Sequence, residues 1–261
     1  MTSPVRRWWR ARARPIYVET RVRGDLETLW QRTQVAGEHT RWDVRFSEIT
    51  DVEQQEADAP RVFRYALHLP LRTVAGTGTS VGERWRPDGS CTSALRFGSP
   101  DPLSLIRRGS GWWRYVPTDE GVRFLTGFDY EPGWGPLGAV VDRAGFRRLV
   151  GWGTAWSFDR LRLWVEDGVP PETALRRALL DLAARGAFVG VAAGAAGAAS
   201  ASSRRGVRRL TVALALGAAG AVATAAPPLP GAPRARRTLR RPPDRVARQA
   251  PDTLATLRSP T

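Results

Sequence analysis

Few side chains in this 261-residue sequence have the types and spacing that catalysis or metal binding requires. Cys91 is the single cysteine, so no intramolecular disulfide can form, and with only His39 and His68 a Cys/His zinc cluster cannot be assembled. No Ser/His/Asp arrangement, phosphate-binding glycine motif or paired-carboxylate spacing stands out. We therefore predict that the protein holds no metal and no cofactor.

Proton transfer is the chemistry for which candidate groups remain, because carboxyl and phenol groups occur near apolar strand residues. Glu83 has the strand parity of Val81 and Trp85, so it could point inward with a raised pKa, although the strand end GERWRPDG could equally splay into solvent. Glu83 is therefore only a weak catalytic candidate. The whole set of groups is Glu83, Asp129, His68, Tyr65 and Tyr130.

The elements that must position these groups are mostly short strands. The stretch 16–23 alternates apolar and polar residues and runs into a short helix that begins after Gly24 and Asp25, and a second helical or turn segment follows. Strands are predicted at 43–52, 61–69, 71–85, 91–98, 111–117 and 121–131. Because the turns between them are short, the sheet is predicted to be antiparallel.

Alternation within the strands predicts one aromatic face that another element must cover. In the strand at 121–131, for example, Phe124, Phe128 and Tyr130 fall on one side and Arg123 on the other. The proline-free segment from about 137 to 167 is predicted to be one long helix that supplies the cover. Its apolar stripe contains Leu149, Trp152, Trp156 and Leu163.

Three stretches of residues 15–168 resemble the START and birch-pollen-allergen superfamily, including its bacterial polyketide cyclase/dehydrase and lipid-transport group (SRPBCC). They are PIYVETRVRGDLETLWQRTQVAGEHTRWD, GSGWWRYVPTDEGVRFLTGFDYEP and GWGTAWSFDRLRLWVEDG. The resemblance implies an α+β helix-grip fold, in which a curved antiparallel sheet wraps a long C-terminal helix and leaves a cavity for an apolar ligand. Lipid carriers, hormone receptors, aromatases and cyclases share this fold, so it names neither the ligand nor the activity.

Strand parity and the helix stripe give the candidate ligand-binding residues. Aromatic side chains supply large apolar areas with few rotatable bonds, and Tyr or Trp can add one polar contact. The alternative for each of them is ordinary core packing. The candidates are Phe63, Tyr65, Phe124, Phe128, Tyr130, Trp152 and Trp156, with Trp42 and Trp85 nearer the mouth.

The formal net charge of +15 lies at the two ends of the chain. Residues 1–14 hold five Arg and no acid, residues 200–261 hold 12 Arg and two acids, and residues 15–199 are balanced with 23 of each sign. A folded nucleic-acid-binding face is therefore disfavoured, because such a domain should itself be basic. We expect the basic tails to contact an anionic membrane surface, with specific nucleic-acid binding excluded.

Beyond Pro170 the composition changes to a helical region with two uncharged, Ala/Gly-rich runs at 186–203 and 210–226. Their lengths, 18 and 17 residues, approach the shortest that spans a bilayer, and arginines flank both. We interpret residues 172–226 as a membrane hairpin whose arginine distribution places the folded domain in the cytoplasm. A soluble helical pair or a loosely ordered segment is the alternative. Residues 227–261, rich in Pro and Arg, are predicted to be disordered.

These patterns support two functional hypotheses. In the first, a helix-grip domain on the cytoplasmic side of the inner membrane binds or moves an apolar small molecule or lipid without catalysis. In the second, the protein is a soluble cytoplasmic cyclase or aromatase-like enzyme that uses Glu83 or a tyrosine as its acid or base.

Overall fold

The computed structural model describes residues 15–52, 60–202 and 204–251. The chain divides into two compact units, which are described separately below. The first unit comprises residues 1–168 together with 234–261, and the second comprises Val169–Pro233. The N-terminal tail at 1–14, for which membrane contact is predicted, lies outside the described residues.

The first unit contains a seven-stranded sheet in which every neighbouring pair is antiparallel. Its order is β1-β7-β6-β5-β4-β3-β2, so only the β1–β7 pair joins strands that are distant in sequence. The predicted antiparallel meander is confirmed, although β6 begins earlier than predicted. The strands are β1 (Ile16–Val22), β2 (Glu48–Asp51), β3 (Val62–Leu69), β4 (Arg72–Trp85), β5 (Cys91–Gly98), β6 (Ile106–Thr118) and β7 (Gly121–Pro132).

Two short helices connect β1 to β2, as the sequence predicts. They are α1 (Leu26–Gln34) and α2 (Ala36–Trp42). The side chain of Asp25 caps α1 by accepting a hydrogen bond of 2.7 Å from the backbone N–H of Thr28. This order of strand, two helices, six strands and long helix is the predicted α+β helix-grip arrangement.

The long helix after β7 is divided, where the sequence predicts one continuous helix from about residue 137 to 167. It consists of α3 (Gly135–Val141), a π-helical turn (Asp142–Phe146) and α4 (Arg147–Asp167). The π-turn places the carboxylate of Asp142 where it accepts hydrogen bonds from Tyr130 Oη (2.5 Å) and Arg147 Nε (2.9 Å). These tertiary contacts offset the irregular backbone.

The chain returns to the first unit after the second one and forms a strap, residues 234–251, for which the sequence predicts disorder. The backbone N–H of Arg234 donates to Asp159 Oδ2 (2.6 Å), and Leu239 exchanges two backbone hydrogen bonds with Glu19 on the free edge of β1 (2.8 and 2.9 Å). The small side chain of Ala247 packs on the outer face of the sheet. The described part of this segment is therefore ordered, because it pairs a free strand edge and covers apolar surface.

The outer face under the strap is less polar than strand alternation indicates. Tyr17, Trp112 and Leu125 are buried there and form a second apolar cluster with Ala247. Arg114 Nη2 also donates to the carbonyl of Gln249 (2.9 Å). The sheet therefore packs on both faces at its β1–β7–β6 side.

The second unit is a helical hairpin of α5 (Pro171–Ala199) and α6 (Arg205–Ala225). Arg185 pairs with Asp181 (2.6 Å) and also donates to the carbonyl of Ala223 near the end of α6, so the two helices run antiparallel. Both helices have the length and composition of a membrane span, a criterion that core helices of soluble proteins also satisfy. Membrane insertion of the hairpin stays a prediction.

Glycines in β4 and β6 allow aromatic rings of the neighbouring strands to lie over them, which generates a first prediction. A Cβ at Gly109 would lie 2.5 Å from the ring of Phe97 and 2.6 Å from the carbonyl oxygen of Asp129. We expect Gly109→Ala to lower the free energy of unfolding by about 1–3 kcal/mol, as overpacking does. Urea denaturation followed by tryptophan fluorescence measures this. Gly37→Ala, a helix position with open space around it, should be neutral or slightly stabilising.

The backbone pairing of the strap gives a second prediction. The measurement is the rate of limited trypsin digestion at the arginines of the strap. Leu239→Pro removes the N–H that donates to Glu19, a hydrogen bond worth about 0.5–1.5 kcal/mol, so cleavage should become about two- to tenfold faster. Leu239→Ala keeps this N–H and should be cleaved at the wild-type rate. Equal rates for the two variants would contradict the role of the backbone pairing.

Candidate functional site

The inner face of the sheet, which faces α4, alternates aromatic residues and glycines across its strands. Phe63 of β3 pairs directly with Gly78 of β4, Gly78 pairs with Phe97 of β5, and Phe97 pairs with Gly109 of β6. Tyr65 lies opposite Gly76 in the same way. Because directly paired residues point to the same side of a sheet, the rings cover the glycines and form a continuous apolar surface.

The β3–β5 side of this surface is only half covered. Phe46, Phe63, Tyr65 and Phe97 are neither buried nor fully exposed, and we call these four residues the aromatic floor. The rings of Phe46 and Tyr65 are 5.5 Å apart in an edge-on contact. The hydroxyl of Tyr65 donates to the carbonyl of Gly98 (3.2 Å), and burial raises the pKa of Tyr65 to about 12. The floor is therefore neutral at physiological pH.

The β1–β7 side of the same surface is filled. Phe124 of β7 stacks on Phe158 of α4 with ring centroids 4.5 Å apart, and both rings are fully buried. Trp42 and Tyr115, also fully buried, contact Phe158 and Phe124 respectively. The resemblance implies a hollow between sheet and helix, but in this half four large rings occupy that space.

A charged cluster lies between the filled half and the aromatic floor. Asp43 is fully buried and accepts hydrogen bonds from Arg45 Nε (2.9 Å) and Nη2 (2.6 Å). The guanidinium of Arg45 lies 5.5 Å from the ring centroids of both Phe46 and Phe128, so the cation borders the apolar surface. Within the part of the chain that the structure describes, Arg45 Nη1 has no hydrogen-bond partner.

His39 completes this cluster. Its Nε2 is 3.2 Å from Asp43 Oδ2, and because a carboxylate only accepts, Nε2 carries the proton. The ring stacks on Trp42 at 4.9 Å and contacts the edges of Phe46 and Trp113. Burial lowers the pKa of His39 more than Asp43 raises it, so the imidazole is neutral at physiological pH. Burial alone would raise the pKa of Asp43, but Arg45 and His39 together lower it.

Glu83 points to the inner face for a reason that strand alternation misses. β4 contains a β-bulge between residues 80 and 82, so Val81 packs with the outer cluster while Glu83 lies opposite Ser93 and Trp85 opposite Cys91. The expectation that Val81 and Glu83 share a face is therefore wrong. Glu83 does face inward, because the bulge shifts the parity by one residue.

The surroundings of Glu83 are nevertheless mostly open. Its side chain is exposed at the end of the sheet, where partial burial raises its pKa and the charge of Arg61 opposes that shift. Cys91 nearby is fully buried, and burial, with a smaller effect of Glu83, raises its pKa to about 12. Among the described residues, no group of three His, Cys, Asp or Glu side chains could hold a metal ion.

The structure separates the predicted ligand-binding residues into four environments. Phe63 and Tyr65 belong to the half-covered aromatic floor. Trp85 is exposed at the far end of the sheet and contacts Trp30 with ring centroids 5.1 Å apart. The others are the buried core residues Trp42, Phe124, Phe128 and Tyr130, and the helix residues Trp152 and Trp156.

The two helix tryptophans do not face the sheet. Phe158 and Leu161 of α4 enter the core, whereas Trp152 and Trp156 stack on each other outside it, and Trp152 is about half exposed (48%). The predicted stripe through Leu149 chose the wrong side of α4. The side of α4 that contacts the sheet carries glycine and alanine. The larger tryptophans on the other side therefore form the stronger apolar pattern in the sequence.

Sequence reasoning missed His39, Arg45, Phe46, Phe97 and Trp113. Phe97 and Trp113 have the inward parity of their strands, so the signal was present. His39 and Asp43 are four residues apart, which places them on one side of a helix turn. Nothing local indicated that Arg45 or Phe46 would reach the inner face, since both lie in the irregular segment before β2.

Two depressions on the described surface lie elsewhere. One is an open groove of about 640 Å³ between β1, the β6–β7 turn and the end of α4. The other, of about 180 Å³, lies beside Ile16 and Arg148. Neither is lined by any predicted ligand-binding residue, and the first contains both arginines and glutamates.

No protein-family model matches this chain. The uncharacterised membrane protein YndG of Bacillus subtilis (strain 168) is 44% identical over 171 residues, which are 65% of this chain and 63% of YndG. The chain therefore spans less than two thirds of the length of this relative.

Solved structures with a similar arrangement are distant in sequence. A STAR-related lipid transfer protein from Xanthomonas axonopodis is 17% identical, with a TM-score of 0.42 over 56% of this chain and 82% of that one. The Zhui aromatase/cyclase from Streptomyces sp. R1128 is 14% identical, with a TM-score of 0.40 over 59% and 96%. The element order and sheet topology described above are those of the helix-grip fold predicted for residues 15–168.

The buried His39 gives a prediction for the pH dependence of stability. Its pKa is lowered in the folded state, so the unfolded chain binds an extra proton below about pH 6.5 and stability falls as pH decreases. Between pH 7 and 5.5 the unfolding free energy should drop by about 1 kcal/mol. His39→Gln, whose amide can still donate to Asp43, should lose this dependence. Denaturation curves at several pH values test it, and an unchanged slope in the variant would contradict the assignment.

Proposed function

We propose that residues 15–168 bind an apolar small molecule or lipid on the aromatic floor, without catalysis, and that α5 and α6 hold this domain at a membrane. The proposal rests on one observation: the continuous apolar surface is closed on its β1–β7 side and only partly covered on its β3–β5 side. The Phe124 side is closed by α4, whereas Phe46, Phe63, Tyr65 and Phe97 stay partly exposed. Small-molecule sites are lined predominantly by apolar and aromatic side chains of this kind.

Arg45 suggests that the ligand has one polar end. Its guanidinium borders the apolar surface, and Nη1 has no protein hydrogen-bond partner among the described residues. The charge of Arg45 is balanced by buried Asp43. A carboxylate or phosphate oxygen could accept from this nitrogen while an acyl chain covers the rings of the floor. An amphipathic molecule such as a fatty acid therefore fits better than a purely apolar one.

Membrane attachment is supported by the chain path and by the nature of α5 and α6. The chain leaves the first unit after Gly168 and re-enters it at Arg234, so a hairpin with two spans would return it to the same side. Both helices satisfy the length and apolarity of spans, and the similar protein YndG is named as a membrane protein. The flanking arginines favour a cytoplasmic domain.

A cyclase or aromatase-like activity is the second candidate, favoured by the inward direction of Glu83. In this case Glu83→Gln should abolish turnover of a polyketide-like substrate while its binding persists. The exposure of Glu83 and the proximity of Arg61 favour the binding function.

Photocrosslinking tests the binding proposal. We expect a diazirine-bearing palmitic acid, added to the full chain in phosphatidylcholine nanodiscs, to label peptides that contain Tyr65 or Phe97, and excess palmitate to compete. Arg45→Gln and Phe97→Ala should each reduce labelling about fivefold or more, since each removes roughly 1–3 kcal/mol of binding contacts. Trp152→Ala, which alters an exposed ring outside the core, is the control.

The residues to which the probe attaches test the proposed binding site. Labelling confined to α5 and α6, or labelling of the floor that palmitate does not displace, would overturn the proposed binding site. Palmitate is the probe because its single carboxylate and long chain match Arg45 and the aromatic floor.

A further inference from the structure

One end of the first unit exposes large apolar side chains from three separate segments. They lie in the β3–β4 turn, in the loop between β5 and β6, and in and just before α3. We call this surface the α3 end. Its exposed residues are Leu71 (98%), Leu103 (51%), Trp134 (41%), Leu137 (63%) and Val140 (55%).

Polar contacts hold these segments together. Arg72 pairs with both carboxylate oxygens of Asp101 (2.9 and 2.8 Å), which ties the β3–β4 turn to the β5–β6 loop. The backbone N–H of Gly133 donates to the carbonyl of Leu105 (2.9 Å), which ties that loop to the start of α3. The exposed apolar groups therefore form one surface on ordered elements.

Trp134 is held outward at a conformational cost. Its φ of 58° and ψ of 20° lie in the left-handed region, and it is the single non-glycine residue with positive φ in the part of the chain that the structure describes. Such a conformation is unfavourable in a bulky residue unless the surroundings require it. The flanking Gly133 and Gly135 permit the tight turn that presents the indole to solvent.

The charges around the α3 end are predominantly positive. Its acidic groups Asp101 and Glu131 are paired with Arg72 and Arg108. Arg107, Arg143 and Arg148 are exposed, and within the described residues they form no ion pair. A partner that complements this surface therefore offers an apolar region to the exposed Trp, Leu and Val side chains and anionic groups to the arginines.

We propose that the α3 end is a docking surface for an anionic phospholipid bilayer. Trp and Leu side chains would enter the boundary between head groups and acyl chains, and the arginines would contact lipid phosphates. A second copy of the chain would bring like charges together, and residues 1–14, with five arginines and no acid, would be repelled in the same way. The α3 end belongs to the first unit alone, whereas the hairpin belongs to the second unit, which begins after Gly168.

A label at the α3 end gives the direct test. Leu71→Cys carries an environment-sensitive NBD fluorophore, while Cys91, fully buried, stays unlabelled. The full chain is placed in phosphatidylcholine nanodiscs and mixed with vesicles of phosphatidylcholine and phosphatidylglycerol that contain a nitroxide lipid. We expect NBD emission to shift to the blue and to be quenched by the nitroxide, and high salt to reduce both effects.

Matched variants identify the side chains. Trp134→Asn, which tolerates the left-handed conformation, combined with Leu137→Ser should lower vesicle binding about tenfold or more. Leu239→Ser, a position exposed to a similar degree (50%) on the strap, should bind as the wild type does. Binding that the double variant retains would overturn the proposal. So would a blue shift that depends on protein concentration without vesicles, because it would identify a second copy as the occupant.

Discussion

The stack of Phe158 on Phe124 is the interaction on which the first unit depends. It joins α4 to β7 at 4.5 Å, and the rings of Trp42, Trp113 and Tyr115 close around it. Aromatic side chains of this kind bury about 150–250 Å² each, so the stack fixes where α4 can lie. Because α4 is held over β1 and β7, the inner face of β3, β4 and β5 receives less cover.

The glycines of β4 and β6 make this less covered surface smooth. Gly78 and Gly109 lie on either side of Phe97, and neither could carry a side chain without displacing a ring or the backbone. The rings therefore lie along the sheet instead of projecting across it. The result is a smooth apolar surface bordered by one cation, Arg45, whose pairing with buried Asp43 holds it in place. We propose that an elongated molecule with a polar end binds there.

The second unit is an insertion within the first. The strap joins β1 through Leu239 and the outer face through Ala247, and Asp159 of α4 accepts from both Arg162 and the backbone of Arg234. Fixing both ends of the hairpin to one folded unit removes conformational freedom that a free tail would keep. The arrangement also pairs the edge of β1, which would otherwise be open to association with other strands.

The sequence by itself determined the strands, the two short helices after β1, the α+β class and the composition of the hairpin, because alternation and helical spacing are local properties. Only the tertiary structure decided the side of α4 that enters the core, since small residues at the helix–sheet contact hid it behind Trp152 and Trp156. It also decided the π-turn before α4, the bulge that turns Glu83 inward, the order of the strap, and the meeting of His39, Arg45 and Phe46. The side of α4, the bulge and the order of the strap depend on contacts between residues far apart in the chain, and such contacts leave no periodic signal.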